Sequence, residues 1–346
     1  MRTTHRLLPA AGLALLAGVA LTGCQSSKAD TTSGGTPTVK IMVGGIDKVI
    51  YLPAKLTEQL GYFKDAGVDV QLLSEPAGAQ AENVLLAGQV QGVVGFYDHT
   101  VALQTQGKCL ESVVQLSKAP GEVEVVATKK AGTLTGFADV KGAKLGVTSP
   151  GSSTDFLTRA LAVRNGVKDS GYTTVKAGAG TTFISALAQG AIDAGMTTDP
   201  TVAKLVSTGA AKVLVDMRTE EGSKAALGGA YPSSSLYMDC AWVSKNEATV
   251  QKLANALVKT LAWMDTHSAS DIAAKMPADF QGGDPALYAK AVGDTKPMFT
   301  ADGVMPADGP ATVLKVLGTF NPAVKGKESS IDLSKTFTTK FVDAAK

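Results

Sequence analysis

Residues 86–102, LAGQVQGVVGFYDHTVA, and residues 187–203, LAQGAIDAGMTTDPTVA, are identical at six of 17 positions at a constant offset of 101 residues. In each copy a helical stretch ends in Leu-Ala, a glycine-containing turn and a short apolar run follow, and an Asp precedes the next helix. This α-β-α order, found twice, predicts two similar α/β lobes, because a single pair of copies is too few for a solenoid. Ligands of such lobes bind beyond the carboxyl ends of the strands, so we expect Asp98 and Asp199 at a cleft.

The amino-terminal residues predict export. Arg2 and Arg6 precede an apolar stretch over residues 7–21, which is shorter than the roughly 20 residues of a membrane-spanning helix and contains Pro9. We therefore expect a signal peptide over residues 1–23. Its ending, Leu21-Thr22-Gly23-Cys24, resembles a bacterial lipobox, which predicts lipidation at Cys24; an ordinary secretory leader is the alternative.

Residues 24–37 are rich in Ser, Thr and Gly without an apolar period, which predicts a flexible tether. The expected location is the outer face of the cell membrane, or the periplasm as a lipoprotein, with membrane contact through the lipid anchor. Removal of residues 1–23 takes away two Arg and no acidic residue, so the formal charge falls from +2 to zero. A neutral chain argues against nucleic acid as a partner.

The order of predicted elements gives the domain organisation. Strands at residues 39–43, 68–73 and 93–96 alternate with helices, which predicts a parallel sheet, and the same pattern restarts at Lys144. A segment at 236–243 is expected to be a strand that returns from the second lobe. We therefore predict an α/β fold of two lobes, each a mainly parallel sheet flanked by helices. Lobe 1 comprises residues 38–124 and 236–346, lobe 2 comprises residues 125–235, and two crossing strands near Val123 and Tyr237 form the hinge.

Two cysteines remain in the exported chain besides Cys24. Cys109 and Cys240 are both expected at or near strands of lobe 1. Outside the cytoplasm they could form a disulfide, and two buried thiols are the alternative.

A predicted helix amino terminus is the first candidate ligand site. Ser152, Ser153 and Thr154 follow a Pro-Gly loop and open a helix, so backbone amides and small hydroxyls converge where an anion would bind. The alternative is a capping box in which Ser152 pairs with Asp155. Both can hold together, because a cap uses one hydroxyl.

The repeated aspartates have two interpretations. Asp98 and Asp199 each precede a helix, and Pro200 is well suited to the next position, so we favour helix caps over ligand contacts. The residues beside them differ between the copies, which favours ligand contact there. These candidates are Tyr97, which could stack on a planar ligand, His99, which could donate to an anion, and Thr197 and Thr198.

The loop after the first strand adds three candidates. Gly45 and Ile46 precede Lys48, whose ammonium could pair with an anion, although a solvated lysine is an equally simple interpretation. The sequence lacks the motifs of the common catalytic and metal sites. Only His99 and His267 remain after removal of the signal peptide, with no paired spacing for zinc, and neither a nucleophile elbow nor a phosphate-binding loop is present. We expect no metal, no cofactor and no catalytic residues.

Three segments carry a family resemblance. They are AKLTEQLGYFKDAGV at 54–68, VKGAKLGV at 140–147 and AQGAIDA at 188–194. In this order and spacing they resemble the nitrate, taurine, sulfonate and thiamine-precursor group of ABC-transporter substrate-binding proteins. The resemblance implies two lobes that close on a small, usually anionic or zwitterionic molecule and deliver it to a permease with ATPase subunits. It also implies ligand loops at residues 45–48, 97–99, 152–154 and 197–199.

The ligand itself stays open at this point. We expect a small organic anion, namely a sulfonate, a taurine-like molecule or a carboxylate, and a thiamine-precursor pyrimidine or a nitrate-type anion is the alternative. If Asp98 or Asp199 faces the cleft, a ligand with a hydrogen-bond donor is favoured. An enzyme resembling the pyrimidine synthases, with pyridoxal phosphate on a lysine, is the competing class, and a sensory or adhesive lipoprotein is a third.

Overall fold

The computed structural model of the protein describes residues 35–345. The predicted signal peptide, Cys24 and most of the predicted tether lie outside the described residues. The described part contains ten strands: β1 (Thr38–Val43), β2 (Asp69–Ser74), β3 (Gly92–Phe96), β4 (Leu110–Gln115), β5 (Glu122–Ala127), β6 (Lys144–Val147), β7 (Thr173–Lys176), β8 (Ala194–Thr198), β9 (Ala211–Asp216) and β10 (Ser234–Asp239).

The α-helices of residues 35–345 lie between and after these strands. They are α1 (Leu52–Gln59), α2 (Tyr62–Asp65), α3 (Gly78–Leu86), α4 (Asp98–Gln104), α5 (Ser153–Arg164), α6 (Thr181–Ala188), α7 (Thr201–Ser207), α8 (Glu220–Leu227), α9 (Cys240–Lys245), α10 (Glu247–Thr266), α11 (Ala269–Lys275), α12 (Pro285–Thr295), α13 (Gly309–Phe320) and α14 (Lys340–Asp343).

The strands form two five-stranded sheets of the same design. The first has the order β2-β1-β3-β10-β4 and the second has the order β7-β6-β8-β5-β9. In each sheet one strand is antiparallel to both neighbours, β10 in the first and β5 in the second. Strand β5 follows β1–β4 of the first sheet in the chain but joins the second sheet. Strand β10 follows β6–β9 of the second sheet but joins the first. The chain therefore crosses between the sheets twice. The predicted α/β class with two mainly parallel sheets is confirmed.

The strand ends differ from the sequence-based bounds. Residues 122–124, which we assigned to lobe 1, belong to β5 and pair with β8 and β9 of the second sheet. The predicted strand at 236–243 was wrong in its second half, because β10 ends at Asp239 and α9 begins at Cys240. The Asp239 side chain accepts a hydrogen bond from Trp242 N and caps this helix.

The helices bury their apolar faces against the sheets. The longest, α10, buries a stripe that includes Val250, Leu253, Leu257 and Leu261, as its 3.6-residue period predicts. The helices after α10 contact both halves of the molecule. Helix α12 packs against α7, and α13 packs against both α4 and α5.

Two local features complete the fold. Cys109, just before β4, and Cys240, just after β10, form a disulfide with a Cα–Cα distance of 5.5 Å. No helix within residues 35–345 has the length and apolar character required to span a membrane.

Candidate functional site

A small polar cavity lies where the carboxyl ends of parallel strands from both sheets meet. The loop after β1 and the start of α3 contribute from the first sheet, and β5, the loop before α5 and the end of β8 contribute from the second. The lining residues are Lys48, Ile50, Tyr51, Gly78, Glu122, Thr148, Ser152, Ser153, Thr154, Ala179, Thr197 and Thr198.

Lys48 is folded back over its own loop. Its ammonium donates to the carbonyl oxygens of Gly44 at 2.7 Å and Pro76 at 3.1 Å. Gly45 permits this fold, because its φ is +111° and a Cβ there would lie 2.5 Å from Lys48 Cε. Burial lowers the pKa of Lys48 to about 8, against the opposing charges of Asp47 and Glu122.

The side-chain hydroxyls at the start of α5 form hydrogen bonds with other groups of the protein. Ser152 Oγ accepts a hydrogen bond from Ala79 N, and Ser153 Oγ donates to Glu122 Oε1 at 2.7 Å. Thr154 Oγ1 accepts from Thr148 N at 3.0 Å. The capping-box interpretation was wrong: the Ser152 side chain makes no cap hydrogen bond, and Asp155 Oδ2 accepts from the amide of Gly151, the residue before the cap position, and not from that of Ser152.

The backbone amides of this helix remain the best anion-binding groups of the cavity wall. The first N–H groups of an α-helix have no acceptor within the helix, and their dipoles favour negative charge. Those of Ser153 and Thr154 belong to residues that line the cavity, whereas the hydroxyls of both residues hold the wall in shape.

Glu122 is a cavity residue that the sequence analysis missed. Only 1% of it is exposed, and its Oε2 has no hydrogen-bond partner among the described residues. Burial raises the pKa of Glu122 to about 8, the charge of Asp98 adds to this, and the hydrogen bond from Ser153 opposes it. The available signal was the alternation Glu122-Val123-Glu124, which places two acids on one face of an apolar strand.

The two residues at the end of β8 line the cavity, but the aspartate after them does not. Thr197 and Thr198 are both 3% exposed lining residues. Asp199 is fully buried and accepts hydrogen bonds from Ala203 N, Arg218 and Thr295. Asp199 is therefore a structural group that also joins α7 to α12.

Asp98 and His99 lie in a buried polar cluster behind the cavity wall. Asp98 is the first residue of α4 and makes no cap hydrogen bond, so the cap interpretation was wrong here; its Oδ2 accepts from the Tyr231 hydroxyl at 2.8 Å. His99 Nδ1 lies 2.8 Å from Glu82 Oε2. Its Nε2 has no partner among the described residues and points to Gly78, where a Cβ would lie 3.2 Å away.

The charge on His99 follows from its neighbours. Burial is the largest single influence and disfavours the charged ring, but the charge and hydrogen bond of Glu82, with the charges of Asp98 and Glu122, outweigh it. Together they raise the pKa of His99 to about 9. An imidazolium has both ring nitrogens as donors, so Nδ1 donates to Glu82 and Nε2 is a donor without a partner among the described residues.

Two predicted site residues point elsewhere. Tyr97 is fully buried, its hydroxyl hydrogen-bonds with Thr336, and its ring packs edge-on against Phe337, so stacking on a ligand was a wrong interpretation. Ile46 donates its amide to Ser74 Oγ and does not line the cavity. Within residues 35–345 no group of three His, Cys, Asp or Glu side chains is arranged to hold a metal ion.

This architecture has known relatives. Residues 51–269 match the family model described as NMT1/THI5 like. The chain belongs to the NMT1/THI5-like family. A solved protein from Bordetella bronchiseptica RB50 has 36% sequence identity and a TM-score of 0.85, over 89% of this chain and 96% of that one.

Other comparisons are more distant. The alkanesulfonate-binding protein SsuA from Xanthomonas axonopodis pv. citri, solved with MOPS, has the same fold at a TM-score of 0.69 and 17% identity, over 87% of this chain and 98% of that one. The 4-amino-5-hydroxymethyl-2-methylpyrimidine phosphate synthase THI13 from Saccharomyces cerevisiae is 27% identical over 146 residues. The match covers 42% of this chain, and the chain spans only 42% of the length of that curated relative.

Proposed function

We propose that the protein is the extracytoplasmic substrate-binding component of an ABC importer and that it captures a small organic anion, a sulfonate or a carboxylate. The observation that carries the proposal is the convergence of Lys48 and the amino terminus of α5 on one buried cavity between the two sheets. Lys48 belongs to the first sheet's side and α5 to the second. A ligand that contacts both stabilises the closed arrangement by contacts that are absent when the halves separate.

The polarity of the lining favours an anion without a required amine. A ligand with a donor group would be favoured if Asp98 or Asp199 faced the cleft. Neither lines the cavity, and both oxygens of Asp199 are taken by protein donors. Lys48, the α5 amides and the hydroxyls of Thr197 and Thr198 are all groups that can donate to an oxyanion.

The remaining parts of the proposal concern partners and location. The closed lobes, each built on one sheet, would be recognised by a membrane permease with its ATPase subunits. The Leu21-Thr22-Gly23-Cys24 pattern supports lipidation at Cys24 and anchoring to the outer face of the membrane. The fold shared with the alkanesulfonate-binding protein supports a transport role.

The competing enzyme function, with pyridoxal phosphate on a lysine, is less well supported by the site. The cofactor would need a lysine amine available to condense with its aldehyde. Among the described residues Lys48 is the lysine of the cavity lining, and it donates to two backbone carbonyl oxygens. The residues present do not fit the cofactor, and the protein is expected to show no absorbance of a lysine-bound cofactor, either as purified or after incubation with pyridoxal phosphate followed by dialysis.

A thermal-shift panel on the exported form tests the function. The probes are ethanesulfonate, taurine, acetate, nitrate and 4-aminopyrimidine. A ligand at 100 times its Kd adds about 2.7 kcal/mol to the free energy of unfolding. We expect ethanesulfonate or acetate to stabilise the protein more than 4-aminopyrimidine does. A panel without any shift would contradict the proposal.

Paired lysine variants locate the binding. Lys48→Met should weaken binding of the stabilising anion at least tenfold. Lys55→Met, which removes a partly exposed lysine paired with Glu58 outside the cavity, should leave it unchanged. Equal effects of the two substitutions would place the anion somewhere else.

A further inference from the structure

Two acids project from one face of β5. Side chains alternate along a strand, and Val123 and Val125 pack in the apolar core on one side while Glu122 and Glu124 lie on the other. Both acids are at most 1% exposed. Neither oxygen of Glu124 has a hydrogen-bond partner among the described residues, and Glu122 has one only at Oε1.

Burial of these carboxyl groups favours their neutral form. An unpaired buried carboxylate costs several kcal/mol, so such a group takes up a proton instead. Within residues 35–345 neither acid forms an ion pair with a cation. The charged or titratable groups that act on Glu122 come from several elements: Asp98 and His99 from α4, Lys48 and Tyr51 from the segment after β1, Tyr231 from the segment before β10, and Glu124 from its own strand.

The geometry of Glu122 assigns a place to the proton. Ser153 Oγ donates to Oε1, so Oε1 is the acceptor oxygen. The proton of a neutral acid then lies on Oε2, which is buried and without a partner in a residue that lines the cavity. The pKa of about 8 is consistent with a largely protonated group at neutral pH.

We propose that Glu122 is a specificity residue of the cavity, which as a neutral acid donates a hydrogen bond from Oε2 to an oxygen of the bound anion. The inference rests on the proposed function. A neutral Glu122 makes one wall of the cavity complementary to an oxygen-bearing anion, whereas an ionised Glu122 would favour an ammonium group. Molecules in which Glu122 is ionised must take up one proton from solvent as the anion binds, and that proton forms the O–H that donates to the ligand.

The first test needs no ligand. The infrared spectrum of the wild-type protein at about pH 6.5 should contain the carbonyl stretch of a buried protonated carboxyl group that is lost in Glu122→Gln. This band should weaken as the pH rises through about 8. Glu124→Gln is the matched control from the same strand face: it should lose the band of its own buried acid and retain the band that weakens as the pH rises through about 8. If Glu122→Gln loses no such band, Glu122 is ionised and the proposal is overturned.

The second test measures the proton on binding, with ethanesulfonate as the probe. Calorimetry near pH 8 in two buffers of different ionisation enthalpy gives the number of protons taken up. The wild-type protein should take up about half a proton more than Glu122→Gln, because a group at its pKa is half ionised. This comparison also corrects for Lys48, whose pKa lies in the same range.

The affinities separate the two proposals. At about pH 6.5, Glu122→Gln should bind ethanesulfonate within about threefold of wild type, because the amide N–H can replace the acid O–H. A loss of tenfold or more, or proton release by the wild-type protein on binding, overturns the role of Glu122 while the transport proposal stands. If no anion of the panel binds, the transport proposal fails and the donor role with it. Should Glu122→Gln not fold, the infrared spectrum of the wild-type protein decides, because Lys48 does not contribute to it: absence of a protonated-carboxyl band that weakens as the pH rises through about 8 overturns the role of Glu122.

Discussion

Arg218 donates to Asp199 across 3.0 Å, and the same Nη1 lies 3.3 Å from Oδ2 of Asp294. Asp199 precedes α7 beside the second sheet, whereas Asp294 lies on α12, which also contacts the turn after Lys48. Thr295 adds a hydrogen bond to the same Asp199 oxygen. One guanidinium therefore ties the two halves together on the side of the cavity.

Substitution of Arg218 by Met should destabilise the protein by about 3 kcal/mol, because it leaves the fully buried Asp199 without its cation. Urea denaturation of the exported form measures this. Lys259→Ala, which breaks an exposed ion pair with Asp65, is the control and should change the free energy of unfolding by less than about 1 kcal/mol. Similar values for the two variants would mean that the Arg218 cluster contributes no more than a surface pair.

Glu82→Gln should change stability in a pH-dependent way. The folded state raises the pKa of His99 to about 9 from 6.5, so the charged His99 stabilises the fold fully below about pH 6.5 and loses this effect as the pH rises through about 9. Without the Glu82 charge this contribution is lost. The variant should therefore be clearly less stable than wild type at about pH 6, with a smaller difference at about pH 9.5.

Urea titrations at both pH values measure the Glu82→Gln difference. Glu58→Gln, at a partly exposed ion pair with Lys55, is the matched control and should show a small difference at both. A constant gap between Glu82→Gln and wild type across the two pH values would rule out the pairing with a charged His99.

The hydroxyl of Thr154 should matter for stability before any ligand is added. It is a buried acceptor for Thr148 N and a partner of the Thr148 hydroxyl. Thr154→Ala should cost about 1–3 kcal/mol, because a buried amide loses its partner. Thr154→Ser keeps the hydroxyl and should cost less. Thermal melts of the ligand-free protein decide, and equal losses for the two variants would show that the methyl group, not the hydroxyl, is responsible.

Reduction of the disulfide should lower the free energy of unfolding by about 2–5 kcal/mol. Cys109 and Cys240 are 131 residues apart, so the bond constrains a long loop of the unfolded chain. Urea denaturation with and without reductant measures the effect. The double variant Cys109→Ser, Cys240→Ser should be as unstable as the reduced protein and insensitive to reductant, and reductant sensitivity in this variant would point to another cause.

The fold was largely predictable because it is encoded in local periodicity. The apolar stripe of α10 and the repeated β-α units are visible in the chain, and each buries the face that its period predicts. The site was less predictable because partners far apart in sequence decide it. Tyr97 directly follows β3 and corresponds in the repeat to Thr198, the last residue of β8, yet its hydroxyl reaches Thr336 and its ring reaches Phe337, which no local pattern indicates.

Glu122 is the opposite case: a cavity residue that the sequence did not indicate. A strand with two acids ordinarily predicts a solvent-exposed face, and burial of that face depends on α5 and on the first half of the chain, which pack over it. Arg218 likewise gave no signal, because its three carboxylate partners are two, 19 and 76 residues away. The role of such charged residues depends on partners distant in sequence, so it becomes visible only in the folded structure.

The exchange of strands between the sheets bears on how the protein is made. The first sheet lacks its fourth strand, β10, until the 118 residues from 116 to 233 have followed β4 out of the ribosome. Until then β3 and β4 have no common partner between them, and a nascent chain cannot complete its first half ahead of its second. Because the first sheet is completed late, the polypeptide cannot reach its folded state during most of its synthesis. An incompletely folded chain can still pass through a secretion channel, which suits the export that the amino-terminal sequence predicts.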